Sequence, residues 1–250
     1  MKKTLHYSVS DTRVLNRKER FRVAKQIYKV LVDFLGKNDL RAMRVLDVGC
    51  SSGAISYYLS SFVKSLVALD IDVAALRIAR KNYKKRNLNY LRANGLNLPF
   101  PDASFDLVIC NEVYSYLPDS EKLMDEVYRV LKPGGSCYFS GGNWLFPIES
   151  RYHIPFLHNL PDSIASQLYW FLTHKRYYVA HYKTYWELKE LLGKFSLTDY
   201  TAWIVKNPYK FSFIKLYRLA NVSKQLPLPA IGLLVPFLPT FIFMLRKPDC

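Results

Sequence analysis

Two short apolar runs constrain the fold most: Arg44-Val45-Leu46-Asp47-Val48 and Ser65-Leu66-Val67-Ala68-Leu69-Asp70, with room for one helix between them from Ala54 to Phe62. Both read as buried strands, since a strand covered on both faces need not alternate polar with apolar residues. Asp72 can cap a further helix through about Arg86, whose apolar positions Leu76, Ala79 and Tyr83 recur every three to four residues. Strand, helix, strand, helix is the rhythm of a parallel sheet. It continues through Tyr90-Leu91-Arg92-Ala93, Phe105 to Cys110, a helix from about Ser120 to Leu131, and Ser136 to Ser140 after a Pro133-Gly134-Gly135 turn. Five strands of a doubly wound α/β sheet are in place by residue 142.

The flanks follow other patterns. Residues 13–35 place Val14, Phe21, Val23, Ile27, Val30, Leu31 and Phe34 roughly at helical spacing, with Gly36 as a stop. Residues 143–183 lose the rhythm and are rich in Pro, His and aromatics, which predicts an irregular or helical insertion over the sheet. Thr184 to Leu192 returns to helical spacing. Leu197 to Val205 and Thr240 to Leu245 look like two closing strands, separated by a partly apolar excursion from Asn207 to Pro239. The expected organisation is one domain over 1–250: a basic helical region 1–43, a core 44–142, a cap insertion and helix 143–193, and closing strands with their excursion 194–250.

The net charge of +16 is unevenly placed: residues 1–45 carry +8, residues 46–140 only +1, and residues 141–250 carry +7. A basic and aromatic flank suits nucleic acid, an anionic membrane surface or a phosphorylated substrate; scattered surface solvation is the plainer alternative. With half its residues hydrophobic, the chain has the material for a sizeable core, which excludes general disorder. Cys50, Cys110, Cys137 and Cys250 form no CxxC pair and have no His at zinc spacing, so neither a metal site nor structural disulfides are expected. The start, Met1-Lys2-Lys3-Thr4, is not followed by an apolar signal segment. The expectation is a cytoplasmic protein, peripheral at the inner membrane face if it meets a bilayer.

The segment from Val45 to Gly53 ends a strand and opens a helix, where glycine lets the backbone turn tightly near a ligand. Asp70 lies 17 residues beyond Gly53 at the end of the next strand, where a carboxylate can accept both hydroxyls of a ribose. A nicotinamide dinucleotide would want three spaced glycines, and this loop offers Gly49 and Gly53. Asp47 suits an ammonium group better than a pyrophosphate, which it would repel. Taken singly, Asp47 and Asp70 have bland alternatives as loop-bracing or helix-capping carboxylates.

Four segments in register, Leu46-Asp47-Val48-Gly49-Cys50-Ser51-Ser52-Gly53, Ala68-Leu69-Asp70-Ile71-Asp72, Leu98-Pro99-Phe100-Pro101-Asp102-Ala103-Ser104-Phe105-Asp106-Leu107-Val108 and Leu131-Lys132-Pro133-Gly134-Gly135, resemble the motifs of class I S-adenosylmethionine-dependent methyltransferases. The nearest subgroup is the type 11, ubiquinone/menaquinone-methyltransferase-like proteins. The resemblance covers about residues 44–140. It implies a Rossmann-like three-layer sandwich whose seven-stranded sheet is mostly parallel with an antiparallel last strand, and a cofactor, S-adenosyl-L-methionine, over the C-terminal ends of the first strands. By the same resemblance Asp47 and Gly49 hold the methionine moiety, Cys50 belongs to the same cofactor-binding turn, Gly53 lets the helix pack close, Asp70 takes the ribose hydroxyls and Ile71 lies against the adenine. Asn94, followed by Gly95, stands where the family often has an adenine-binding Asp, and Asn111 faces the methionine end. Ser51 departs from the pattern at a position that is usually Gly.

Methyl transfer from a sulfonium is an in-line displacement, so holding the acceptor about 3–3.5 Å from the methyl carbon is the protein's main task. A general base is needed for a hydroxyl, an acidic carbon or a protonated amine. The candidates are Tyr114, Tyr116, His153 and His158. The tyrosines follow the fourth strand, where the family lines its acceptor pocket and often carries His, here replaced by Ser115 and Tyr116. The two histidines fall in Phe146–His158, which resembles a cap segment of some bacterial and archaeal members; lone histidines in such segments are commonly structural. The run Leu226 to Leu245 holds no charge over 20 residues, but Pro227, Pro229, Gly232, Pro236 and Pro239 would break a spanning helix. A surface-seeking loop admitting a small-molecule or lipid-like acceptor fits better. RNA is an alternative acceptor suggested by charge alone, because the Asn/Asp-Pro-Pro-aromatic signature is absent from Asn111-Glu112-Val113-Tyr114. A third reading is a cofactor-binding protein without turnover, resting on Ser51 and the missing His.

Overall fold

The computed structural model describes residues 16–148, 152–174, 177, 179–213, 216 and 225–249. Seven strands, β1 (Arg44–Val48), β2 (Ser65–Asp70), β3 (Leu88–Arg92), β4 (Phe105–Asn111), β5 (Leu131–Gly142), β6 (Ser196–Asp199) and β7 (Thr240–Arg246), form one sheet in the order β3-β2-β1-β4-β5-β7-β6. Only β7 runs antiparallel to its neighbours, β5 and β6. The sheet is the one that the resemblance implies. Strand order reverses between β1 and β4, which opens a crevice beyond their C-terminal ends.

The two faces separate by side-chain alternation. On β1 and β4, Leu46, Val48, Phe105, Val108 and Cys110 enter one core together with Leu123 and Val127 of α5 (Ser120–Val130) and Leu188 of α7 (Tyr185–Leu191). Val45, Leu107 and Ile109 enter the opposite core, with Ile27 and Leu31 of α1 (Arg17–Leu35), Leu40 of α2 (Lys37–Ala42), Ile55 of α3 (Ala54–Leu59) and Leu76 of α4 (Val73–Asn82). Burial on both faces explains the continuous apolar runs of the sequence. Asn16 caps α1 by accepting from the Glu19 N–H, and Gly36 ends it; the expected start at residue 13 lies outside the described residues.

Several expected boundaries move. The helix beginning after Asp72 stops at Asn82 and not near Arg86, and β3 starts at Leu88. The Pro133-Gly134-Gly135 turn is absorbed into β5, whose pairing jumps from Phe105↔Leu131 to Leu107↔Ser136. The run 197–205 is a strand only to Asp199. Asp199 Oδ1 then accepts from the Thr201 N–H at 2.8 Å, and α8 (Thr201–Lys206) turns Ile204 into the core beside Tyr200. α6 (Asp162–Thr173) is the helical part of the insertion, and α9 (Leu228–Leu234) stands in the excursion. Among the described residues no helix is long and apolar enough to cross a membrane.

Candidate active site

At the C-terminal end of β1 the chain turns through Gly49 (φ 73°), Ser51 (φ 52°) and Gly53 (φ 78°) before entering α3. The Gly49 and Cys50 amides both donate to the Leu69 carbonyl at 2.9 Å, so the turn is pinned to the end of β2. A Cβ on Gly53 would lie 2.7 Å from Ala79 Cβ and from the Tyr90 hydroxyl, which requires glycine for the close approach of α4 and β3. Ser51 adopts the left-handed conformation itself, so the departure from glycine leaves the turn intact. Its Oγ is buried without a hydrogen-bond partner.

Asp47 shares the face of Val45 and so points toward α1 and α3, where Ser56 of α3 donates its hydroxyl to Asp47 Oδ2. Burial pushes the carboxyl up to about 7, opposed by the Ser56 hydrogen bond and by the positive field of Arg20 on α1; Asp70 adds to the rise. A carboxyl whose ionised form is disfavoured by burial is stabilised by a cation brought beside it. Asp70, at the end of β2, accepts the Ser51 amide on Oδ2 (2.7 Å) and the Asp72 amide on Oδ1 (2.8 Å). Burial also raises its pKa, with these two amides pulling the other way. The Ile71 amide also lowers it, and a carboxylate placed here can still accept from a hydroxyl. Ile71 beside it is an exposed apolar side chain. Burial raises the Cys50 thiol, which keeps it neutral.

On the far side of the crevice Asn94 is exposed and its Oδ1 accepts the Leu96 amide at 3.0 Å, leaving its NH2 to donate; Gly95 is buried against Leu123. Asn111 ends β4 and accepts from Ser140 Oγ at 3.1 Å. The structure therefore brings Asp47, Gly49, Cys50, Gly53, Asp70 and Ile71 together around one turn, with Asn94 and Asn111 on the adjoining strand ends. Three groups there were missed by sequence reasoning: Arg20 and Ser56, which act on Asp47, and Glu112, held at φ 57° just after β4. Only Ser56 had a sequence signal, its place on the first turn of the helix after the loop.

The four candidate bases have different settings. Tyr114 is buried; its hydroxyl donates to the Gly142 carbonyl at 2.8 Å and accepts from the Lys183 amide at 3.1 Å, and burial raises its pKa. Those bonds make it a brace between β5 and the returning insertion. Tyr116 is half-buried beside it, and Ser115 Oγ is buried without a partner, while the Ser115 carbonyl accepts from the His181 amide. His153 is exposed with φ 57°. His158 Nε2 lies 3.1 Å from the Trp144 carbonyl, its ring meets Tyr182 edge-on, and its Nδ1 is buried without a partner.

The donor set fits S-adenosylmethionine: a buried carboxyl for the ammonium, a second at the end of β2 for a ribose, an apolar side chain for the adenine, and a hydroxyl without a hydrogen-bond partner in the turn between them. Residues 46–139 match the family described as methyltransferase domain. The chain is 35% identical over 99 residues to phthiotriol/phenolphthiotriol dimycocerosates methyltransferase of Mycobacterium tuberculosis, 30% over 119 to fatty-acid O-methyltransferase of Mycolicibacterium smegmatis and 35% over 103 to demethylmenaquinone methyltransferase of Lactococcus lactis. These alignments cover 39–47% of this chain and span only 37–41% of the length of those relatives. Among solved structures, an S-adenosylmethionine-dependent methyltransferase from Mesorhizobium loti shares the fold with a TM-score of 0.59 over 89% of this chain and 98% of its own, at 17% identity. The likeness to known methyltransferases is carried by residues 46–139 of this chain, and the solved structure adds likeness of fold alone.

Proposed function

We propose that the chain is an S-adenosylmethionine-dependent methyltransferase acting on a small, lipid-like acceptor. The observation that carries this reading is the buried Asp47 carboxylate, pushed up to about 7 at the mouth of a glycine turn with Asp70 beside it. Asp47 would pair with the ammonium, Asp70 would take the ribose hydroxyls, Ile71 would cover one adenine face, and the Asn94 amide would donate to the ring. When bound, the cofactor supplies an electrophilic methyl group on a sulfonium. The chain's own part would be placement: Asn111 and Glu112, at the end of β4, would border the reacting atoms, and the segment that Tyr114 ties to β5 through the Lys183 amide would help to exclude water. An acceptor that offers an ionised oxygen, such as a carboxylate, requires no base; for a hydroxyl or an acidic carbon, Tyr116 and His158 would be the candidates to take the proton. The lipid-like acceptor is supported by the relatives named for fatty-acid, dimycocerosate and demethylmenaquinone substrates.

Incubating the purified chain with methyl-labelled S-adenosylmethionine and cell extract, then separating organic, aqueous and RNA fractions, tests the reading. Label in the organic fraction is expected. Label confined to RNA overturns the acceptor class, and no label in any fraction contradicts methyl transfer.

A further inference from the structure

The two segments beyond the core meet at the C-terminal end of β5. Residues 143–183 start where β5 ends, and the excursion returns to the sheet at Thr240, which pairs with Gly142. Asn143 is buried at this junction. Its amide donates to the Pro239 carbonyl at 3.2 Å, and its Nδ2 donates to the Pro236 and Leu238 carbonyls, both at 2.8 Å. The bases of the two segments are thus tied together on the crevice side of the molecule.

Each segment then turns large apolar groups outward. In α6 only Ala165 and Tyr169 are buried, within a small cluster with Leu157 and Tyr177, while Trp170 is 59% and Phe171 74% exposed. In α9 and the turn after it, Leu233 is 78% and Phe237 60% exposed. Charge accompanies both. In the sequence, His174, Lys175 and Arg176 follow α6, and from Tyr200 onward there are seven Lys and Arg against the single Asp249. Exposed apolar groups on segments whose sequence carries a basic excess, with Asp162 in the first turn of α6 as the acidic exception, match a surface that is apolar beneath and negative above, namely an anionic bilayer. Proline at 227, 229, 236 and 239 keeps α9 to seven residues, short enough to lie in the headgroup boundary and too short to span.

We infer that α6 and α9 together form a face that seats on the anionic lipid surface, setting the crevice beside the bilayer. Delivery of a lipid-like acceptor from that surface rests on the proposed function; the docking itself does not. A second copy of the chain and an acidic protein are the other occupants that this face could accept, and the test separates them.

The full chain is floated with vesicles of phosphatidylcholine and phosphatidylglycerol, and with phosphatidylcholine alone, beside Trp170→Ser/Phe171→Ser and Leu233→Ser/Phe237→Ser. Light scattering reports self-association, and cofactor titration shows that each variant is folded. The native chain is expected to float with the anionic vesicles and at least about tenfold less with the neutral ones. Each double variant should lose about tenfold in partitioning while binding cofactor like the native chain. No flotation with anionic vesicles, equal flotation of all variants, or a dimer that the same substitutions dissolve would overturn the inference. Vesicle binding is read without turnover, so it can fail while methyl transfer stands, and the reverse.

Discussion

Residues 44–142 and the two segments beyond them are both rich in large apolar side chains, yet Phe105 and Phe139 are fully buried while Phe171 and Leu233 face outward. The strands of the core are covered on two faces, so every apolar residue meets a partner whichever way it points. A short helix on the rim has one neighbour, and its remaining faces meet whatever lies outside the chain. Polar groups divide in the same way. In the core the buried carboxylates Asp47 and Asp70 gather around a glycine turn, whereas in the rim the buried Asn143 spends its donors on backbone carbonyls. Burial in the first region gathers ionisable groups at a turn; in the second it anchors a scaffold.

That contrast can be broken from either side. Gly53→Ala should have the largest effect: a left-handed φ and a contact of 2.7 Å together cost about 3 kcal/mol, read as a lower urea midpoint with cofactor binding weakened. Asp70→Ala removes charged acceptors and should weaken S-adenosylmethionine binding by about 1.5–3 kcal/mol; an unchanged dissociation constant removes Asp70 from the site. Asn143→Ala leaves the Pro236 and Leu238 carbonyls without their donor, costing about 1–2 kcal/mol in denaturant unfolding while cofactor affinity is kept. Loss of cofactor affinity with Asn143→Ala would mean that rim and site are coupled. Leu233→Ser should stay within about 0.5 kcal/mol of the native stability, since so little of it is buried. A larger loss would show that the rim is packed in solution.

Legibility from sequence followed the same division. β1 and β2 fall on the residues that their apolar runs mark, because burial on both faces leaves a local signature. Asp47, Gly49, Gly53 and Asp70 are likewise gathered by local chain geometry. Arg20 was not legible, since its approach to Asp47 depends on how α1 docks, and neither was the bracing of Tyr114 between Gly142 and Lys183. The run Ala202-Trp203-Ile204-Val205 carries β-prone side chains, but the Asp199 turn to Thr201 directs it into a helix.

Calorimetric titration with S-adenosylmethionine at several pH values, on the native chain and Asp47→Asn, tests the central claim most directly. Because the free carboxyl titrates at about 7, it is mostly protonated below that pH and must lose its proton to pair with an ammonium. Native affinity should therefore fall by about tenfold per pH unit below about pH 7 and level off above it, with proton release on binding in the acid range. Asp47→Asn should bind weakly at every pH without this slope. Native affinity that is independent of pH and equal to that of the variant would contradict the assignment of Asp47 as the group that receives the cofactor.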